Sequence, residues 1–275
     1  MVRIHDLIAV ESGTEAVARA LVRFSSELGA AIVGAFHITC SDEAEGQCSQ
    51  VFQRSFVEGQ LPELKPGCRW PFRSANLGAR YEWGAVGVAE EHFALSPNDL
   101  KLLVLKINAH VGVSDTVDGP SYGQIDRYGH ESSCCGALAG LLRGGDIPAL
   151  DELGEAFRYD GKDRVAILRD SSRVEPRHRA LFAAVTNARL QARRAVEDIR
   201  QHRPKTPTVF LVLPAVTINR PDADSELVVG QYGIDWTQQS PSVKYHGLGD
   251  DPAAYRLRHQ RQRAIIEDAD WPAAE

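Results

Sequence analysis

Three residues far apart in this chain, Cys40, His110 and Cys135, each fall where the residue pattern begins or ends an element, and together they make a Cys/His/Cys donor set. Two thiolates and one imidazole suit catalytic zinc, which takes three protein ligands and keeps its fourth position for a water whose pKa it lowers from about 15.7 to roughly 7. Separations of 70 and 25 residues do not match a zinc finger, so only a fold can join the three. Asp42, two residues after Cys40, can hydrogen-bond that water or take the open position itself. Cys134 adjoins Cys135, and spacing leaves open which of them faces a metal. A buried cysteine or a strand-end histidine is most often packing, so the set rests on the joint placement of its members.

Two hydrophobic runs must carry the first two residues. AAIVGAFHIT is nearly all apolar, suits a strand covered on both faces, and delivers Cys40 at its carboxyl end. LKLLVLKINAH (100–110) predicts a second strand, with Asn98-Asp99 before it and His110 and Gly112 ending it. In open α/β sheets ligands gather outside such carboxyl ends. SYGQIDRYGHESSCCGALAGLLRGG reads as a loop, a cap at Ser132 or Ser133, a helix over Cys134 to Leu142, and a stop at Gly144-Gly145. Cys135 then lies in the first helical turn, where free amides and the helix dipole favour a thiolate.

The rest alternates in kind. Residues 12–28, with Ser12 and Thr14 as candidate caps and Val17, Leu21, Phe24 and Leu28 at helical spacing, predict an amphipathic helix. Residues 46–98 are irregular, with loops and short helices expected. A long Arg-rich helix over 174–202 precedes the strand TVFLVLPAVTIN, VVGQYGIDW suits an edge strand, and AAYRLRHQRQRAIIEDA suits a terminal helix with a solvated or interface Arg face. The class is α/β: a central mixed, largely parallel sheet flanked by helices. The expectation is one domain over residues 1–275 with a helical tail from about 250 to 275.

Bulk properties narrow the partners. A formal net charge of −6 gives no global basic field, so nucleic acid is not expected. Neither a secretory signal nor an apolar stretch of membrane-spanning length is present, which predicts a soluble, cytoplasmic protein with no membrane partner. Five cysteines in a reducing compartment favour thiolate or metal chemistry over a disulfide frame, with Cys48 and Cys68 as bystanders.

The stretch NAHVGVSDTVDGPSYGQIDRYGHESSCCGAL resembles the limiting-CO2-inducible protein B (LCIB) family, the theta-class carbonic anhydrases, in its His-Val-Gly segment and its later Ser-x-x-Cys-Gly-Ala. CSDE at 40–43, NLGARYEWGAVGVAEEHFALSPND and VFLVLPAVTINRPD are similar to further family segments, in the expected order, from about residue 30 to 235. The resemblance implies a zinc enzyme, a lyase hydrating CO2 reversibly to bicarbonate, on a fold similar to beta-class carbonic anhydrases and often a homodimer. Carried over by motif, Cys40, His110 and Cys135 are the ligands, with Cys135 preferred because it directly precedes Gly-Ala. One departure stands out. Beta-like sites pair the Asp with an arginine two residues later, and here that residue is Ala44; Arg127 is the candidate replacement.

In the implied reaction a zinc hydroxide attacks CO2, bicarbonate leaves in exchange for water, and a proton passes to solvent. Val111, Val113, Ala137 and Leu138 are candidate pocket lining, and His92 or His130 candidate proton relays. Two rivals keep the metal: a zinc hydrolase of another small electrophile with Asp42 or Glu43 as base, and a catalytically silent zinc- or bicarbonate-binding subunit, motivated by Ala44. A third drops it and makes Cys135 a nucleophile activated by His110.

Overall fold

The computed structural model describes residues 8–11, 31–42, 72–92, 100–127, 129–143, 161–220, 225–230, 232–236 and 242–245. The first half holds β1 (Ile8–Glu11), β2 (Ala31–Cys40), β3 (Phe72–Asn76), α1 (Ala85–His92), β4 (Lys101–Thr116), β5 (Gly119–Tyr122), β6 (Gln124–Arg127), β7 (His130–Ser133) and α2 (Gly136–Leu142). Then come α3 (Gly161–Ser171), a 3-10 turn at Pro176–His178, α4 (Arg179–Gln201), β8 (Thr208–Asn219), β9 (Ser225–Val228), β10 (Tyr232–Asp235) and β11 (Ser242–Tyr245). No helix among the described residues is long and apolar enough to cross a membrane.

The main sheet runs β1-β9-β8-β4-β2-β3. β3, β2, β4 and β8 are parallel, whereas β9 and β10 lie antiparallel on the outer edge of β8 and β1 lies antiparallel on β9. This is the expected α/β class, a mixed and largely parallel sheet with flanking helices. Every residue of β8 and every residue of β4 from Lys101 to Val113 is buried, which requires cover on both faces and explains their unbroken apolar runs. Pro214 sits inside β8 even though proline donates no ladder hydrogen bond. The ladder with β10 ends at Val212, that with β9 starts at Ala215, and the Pro214 carbonyl accepts from Val229 N at 2.9 Å. The missing N–H therefore falls at the junction of two short strands.

α4 packs on the sheet through Ala183, Ala184, Ala188, Ala192 and Ala195, small residues that let the helix approach closely. Its first half joins a core with Ala109, Val111, Leu138 and Val216; its second half joins Leu103, Leu105, Phe210 and Val212.

Several expectations change. β4 does not stop at His110 but continues to Thr116, paired beyond it with β5. The stretch read as a loop before Cys134 contains the end of β5 and the β6–β7 hairpin, so Ser132 and Ser133 end a strand, and the N-cap of α2 is Cys135. α2 starts at Gly136 with Cys135 as its N-cap, one position outside the first turn. VVGQYGIDW is divided between β9 and β10. Residues 46–98 hold a parallel strand, β3, as well as a helix. The helix expected over 12–28, the terminal helix and the 250–275 tail lie outside the described residues.

Candidate metal centre

β4 changes partners at His110. Its register with β2 ends at Thr39↔Asn108, while β8 holds its other edge as far as Gly112↔Asn219. At Gly112 the edge left by β2 is taken by returning backbone: Gly112 N donates to Cys134 O at 2.8 Å, Gly123 N to Gly112 O at 2.8 Å, and Cys134 N to Gly123 O at 3.0 Å. His110 lies in the interval, between the end of β2 at Cys40 and the Cys134-Cys135 segment. Gly112 has to be glycine, because a Cβ there would sit 2.8 Å from both Cys134 Cβ and Gln124 O. This packing brings Cys135 beside Cys40.

The three residues do meet. One donor atom each from Cys40, His110 and Cys135 lie within 4.8 Å of one another, and none of the residues is more than 3% exposed. The two sulfurs are 3.6 Å apart. His110 Nδ1 is 2.9 Å from Asn219 Oδ1, a carbonyl oxygen that can only accept, so Nδ1 carries the proton and Nε2 is the ligand atom. Nε2 is buried with no hydrogen-bond partner. A tetrahedral zinc with Zn–S bonds of about 2.3 Å needs sulfurs about 3.8 Å apart, so the pair and the orphaned nitrogen fit the ion.

The neighbours sort by the side of the imidazole they occupy. Cys134 Sγ is 3.4 Å from Nδ1 and 3.5 Å from Asn219 Oδ1, on the proton-bearing side. Asp42 Oδ2 is 3.8 Å from Nε2, on the ligand side. Asp42, His110 and Cys134 form a second close set sharing His110. The set with two thiols and the free Nε2 matches zinc better, and it contains Cys135.

Charge is divided unevenly. The hydrogen bond from Cys135 outweighs burial and, with His110 and the Asp42 backbone N–H, holds the Cys40 thiol down to about 4. The proton that Cys135 shares with Cys40, together with burial, pushes Cys135 well above the ordinary thiol range. Burial pulls His110 down, but the sulfurs of Cys134, Cys135 and Cys40 outweigh it and hold the imidazole well above its usual value. In the metal-free centre the lowered Cys40 thiol gives up its proton first, while Cys135 and His110 hold theirs more tightly than usual.

Among the other candidates, Val111, Val113 and Leu138 are buried in the same apolar cluster as Cys40 and Cys135, with Ala137 packed against it. Arg127 ends β6 opposite His130, which is exposed; the Arg127 side chain lies outside the described part, as does that of His92 at the end of α1. Glu43, Ala44, Cys48 and Cys68 also fall outside it. Reasoning from the sequence missed Asn219 as the partner of His110. Its signal was a polar residue closing an apolar strand.

No family model matches the chain, and no curated protein matches it in sequence. Solved structures do. PtLCIB4, a homolog of the limiting CO2-inducible protein LCIB, aligns over 86% of this chain and 94% of its own at a TM-score of 0.60 and 16% identity. The chain has the LCIB-homolog fold. Two single-residue mutants of PtLCIB4 align at TM-scores of 0.58 and 0.54, with 17% and 16% identity, over 84% and 86% of this chain and 91% and 93% of theirs. The LCIB-like fold is therefore matched over 94% of PtLCIB4.

Proposed function

We propose that this protein is a zinc-dependent carbonic anhydrase in which Cys40, His110 and Cys135 hold the metal. The observation that carries the reading is the pairing of two buried sulfurs 3.6 Å apart with a His110 Nε2 that has no hydrogen-bond partner, on a fold shared with PtLCIB4. Bound to these donors, zinc supplies Lewis acidity toward water at neutral pH. The chain supplies the rest. Asn219 keeps the proton on Nδ1 and so aims Nε2. Val111, Val113 and Leu138 give a water-poor wall suited to a small apolar substrate, CO2, whose product is bicarbonate. Asp42, whose Oδ2 is 3.8 Å from Nε2, is our candidate proton acceptor, and exposed His130 our candidate relay. Arg127 is our candidate for the guanidinium that Ala44 does not provide, and we take the assembly to be a homodimer, which the family resemblance implies.

A second reading has one observation in its favour. The same 3.8 Å placement lets Asp42 occupy the fourth position, and Ala44 offers no local arginine to hold it away, which would make the chain a silent zinc-binding subunit. Stopped-flow CO2 hydration on zinc-loaded protein separates the two. Turnover that disappears in Cys135→Ser supports the enzyme. With one zinc bound and no turnover between pH 7 and pH 9, the silent reading wins, and Asp42→Ala should then gain activity.

A further inference from the structure

The buried face of α4 is apolar except at two amides, Asn187 and Gln191. Asn187 and Gln191 are both 0% exposed, and a buried amide left without partners is costly. Both are used on one short segment. Asn187 Nδ2 donates to Gly78 O at 2.7 Å, Gln191 Oε1 accepts from Tyr81 N at 2.9 Å, and Gln191 Nε2 lies 3.3 Å from Asn187 Oδ1 and 3.4 Å from Asp163 Oδ2. Asp163 is anchored in turn by Arg194 at 2.8 Å. From the other side Asn76 clasps Arg80, accepting its N–H at 2.5 Å and donating to its carbonyl at 2.7 Å.

Residues 76–81 are therefore gripped at both ends by side chains. Between the grips Gly78 has φ +76° and Ala79 φ +53°, and Ala79 is completely buried. A left-handed conformation is unfavourable for a non-glycine residue, so the surroundings impose this shape. Within this shape the Gly78 N–H points at Cys40 Sγ, 3.3 Å away.

We propose that Asn187 is a positioning residue for the metal centre, holding the Gly78 carbonyl and so fixing the residue's orientation such that its own N–H, in the preceding peptide unit, donates to the Cys40 sulfur. The inference rests on Cys40 being a metal ligand. A thiolate that accepts an N–H is less basic and gives less charge to its metal, which leaves the ion a stronger Lewis acid. α4 thereby acts on the centre from 147 positions along the chain through one backbone amide.

NMR on the full chain loaded with an NMR-active cadmium isotope tests this, because scalar coupling passes through an N–H···S–Cd hydrogen bond. In the wild type we expect cadmium coupled to the Cys40 and Cys135 side chains and also to the Gly78 amide. In Asn187→Ala the Gly78 coupling should vanish while the cysteine couplings stay, with zinc affinity about 10-fold weaker. Cysteine couplings without a Gly78 coupling in the wild type would overturn the proposal and leave the metal centre standing. Persistence of the Gly78 coupling in Asn187→Ala would overturn the role of Asn187. No coupling to either cysteine would remove the metal centre itself. The wild-type arm decides even if the variant does not fold.

Discussion

A metal entering this centre has to displace protons, and the charge distribution says which. Cys40 is ionised at any pH above about 4, whereas Cys135 keeps its proton and His110 carries an extra one. Zinc takes thiolate and neutral imidazole, so both of those protons leave when it binds. Affinity should accordingly rise with pH until the raised values of Cys135 and His110 are passed, and fall as acid refills both. At pH 6, below the range in which a zinc-bound water ionises, weakly buffered protein should release about two protons per zinc. Release near zero would mean that the donors are not a thiol and an imidazolium. The donor types were readable from composition and element ends, but the choice between Cys134 and Cys135 was not. Neighbouring residues have the same spacing to everything else, and only the side of the His110 ring separates them: Nδ1 for Cys134, the Cys40 sulfur for Cys135. The partner of Nδ1, Asn219, was hidden because it arrives through the β4–β8 register rather than through nearness in sequence.

At the scale of elements, the centre depends on one strand exchanging neighbours. β4 gives up β2 after Asn108 and accepts the Cys134 backbone at Gly112, and the close approach leaves no room for a side chain. Gly112→Ala should destabilise the fold by about 1–3 kcal/mol and weaken zinc binding, because Cys134 and Gln124 must move and Cys135 moves with them. Urea denaturation and a zinc titration measure the two effects; an unchanged midpoint and affinity would contradict the packing account. The two buried runs were legible, since parallel strands covered on both faces show continuous apolar sequence. The extension of β4 past His110 was not, because Gly112 and the polar residues after it carry the signs of a strand end. The β6–β7 hairpin was missed for a related reason: GQIDRYGHESS has the composition of a loop, and its two strands are ladder partners of each other.

For the whole molecule, the alternation of strands and helices was enough to predict an α/β sheet. The order β1-β9-β8-β4-β2-β3 was not predictable from it, since β1 and β9 pair across most of the chain and nothing local records that. That non-local order is what makes the centre possible. Cys40, His110 and Cys135 come from β2, β4 and the start of α2, and they meet only once β2 and β4 are paired and the Cys134 backbone has docked on Gly112. The central claim is that these three side chains hold one zinc, and metal content per chain tests it most directly. After zinc loading and desalting, the wild type and Cys134→Ser should each retain about one zinc per chain, while folded Cys40→Ser, His110→Ala and Cys135→Ser should each lose it. A wild type that holds no zinc, or a Cys135→Ser protein that keeps it while Cys134→Ser does not, would contradict the account.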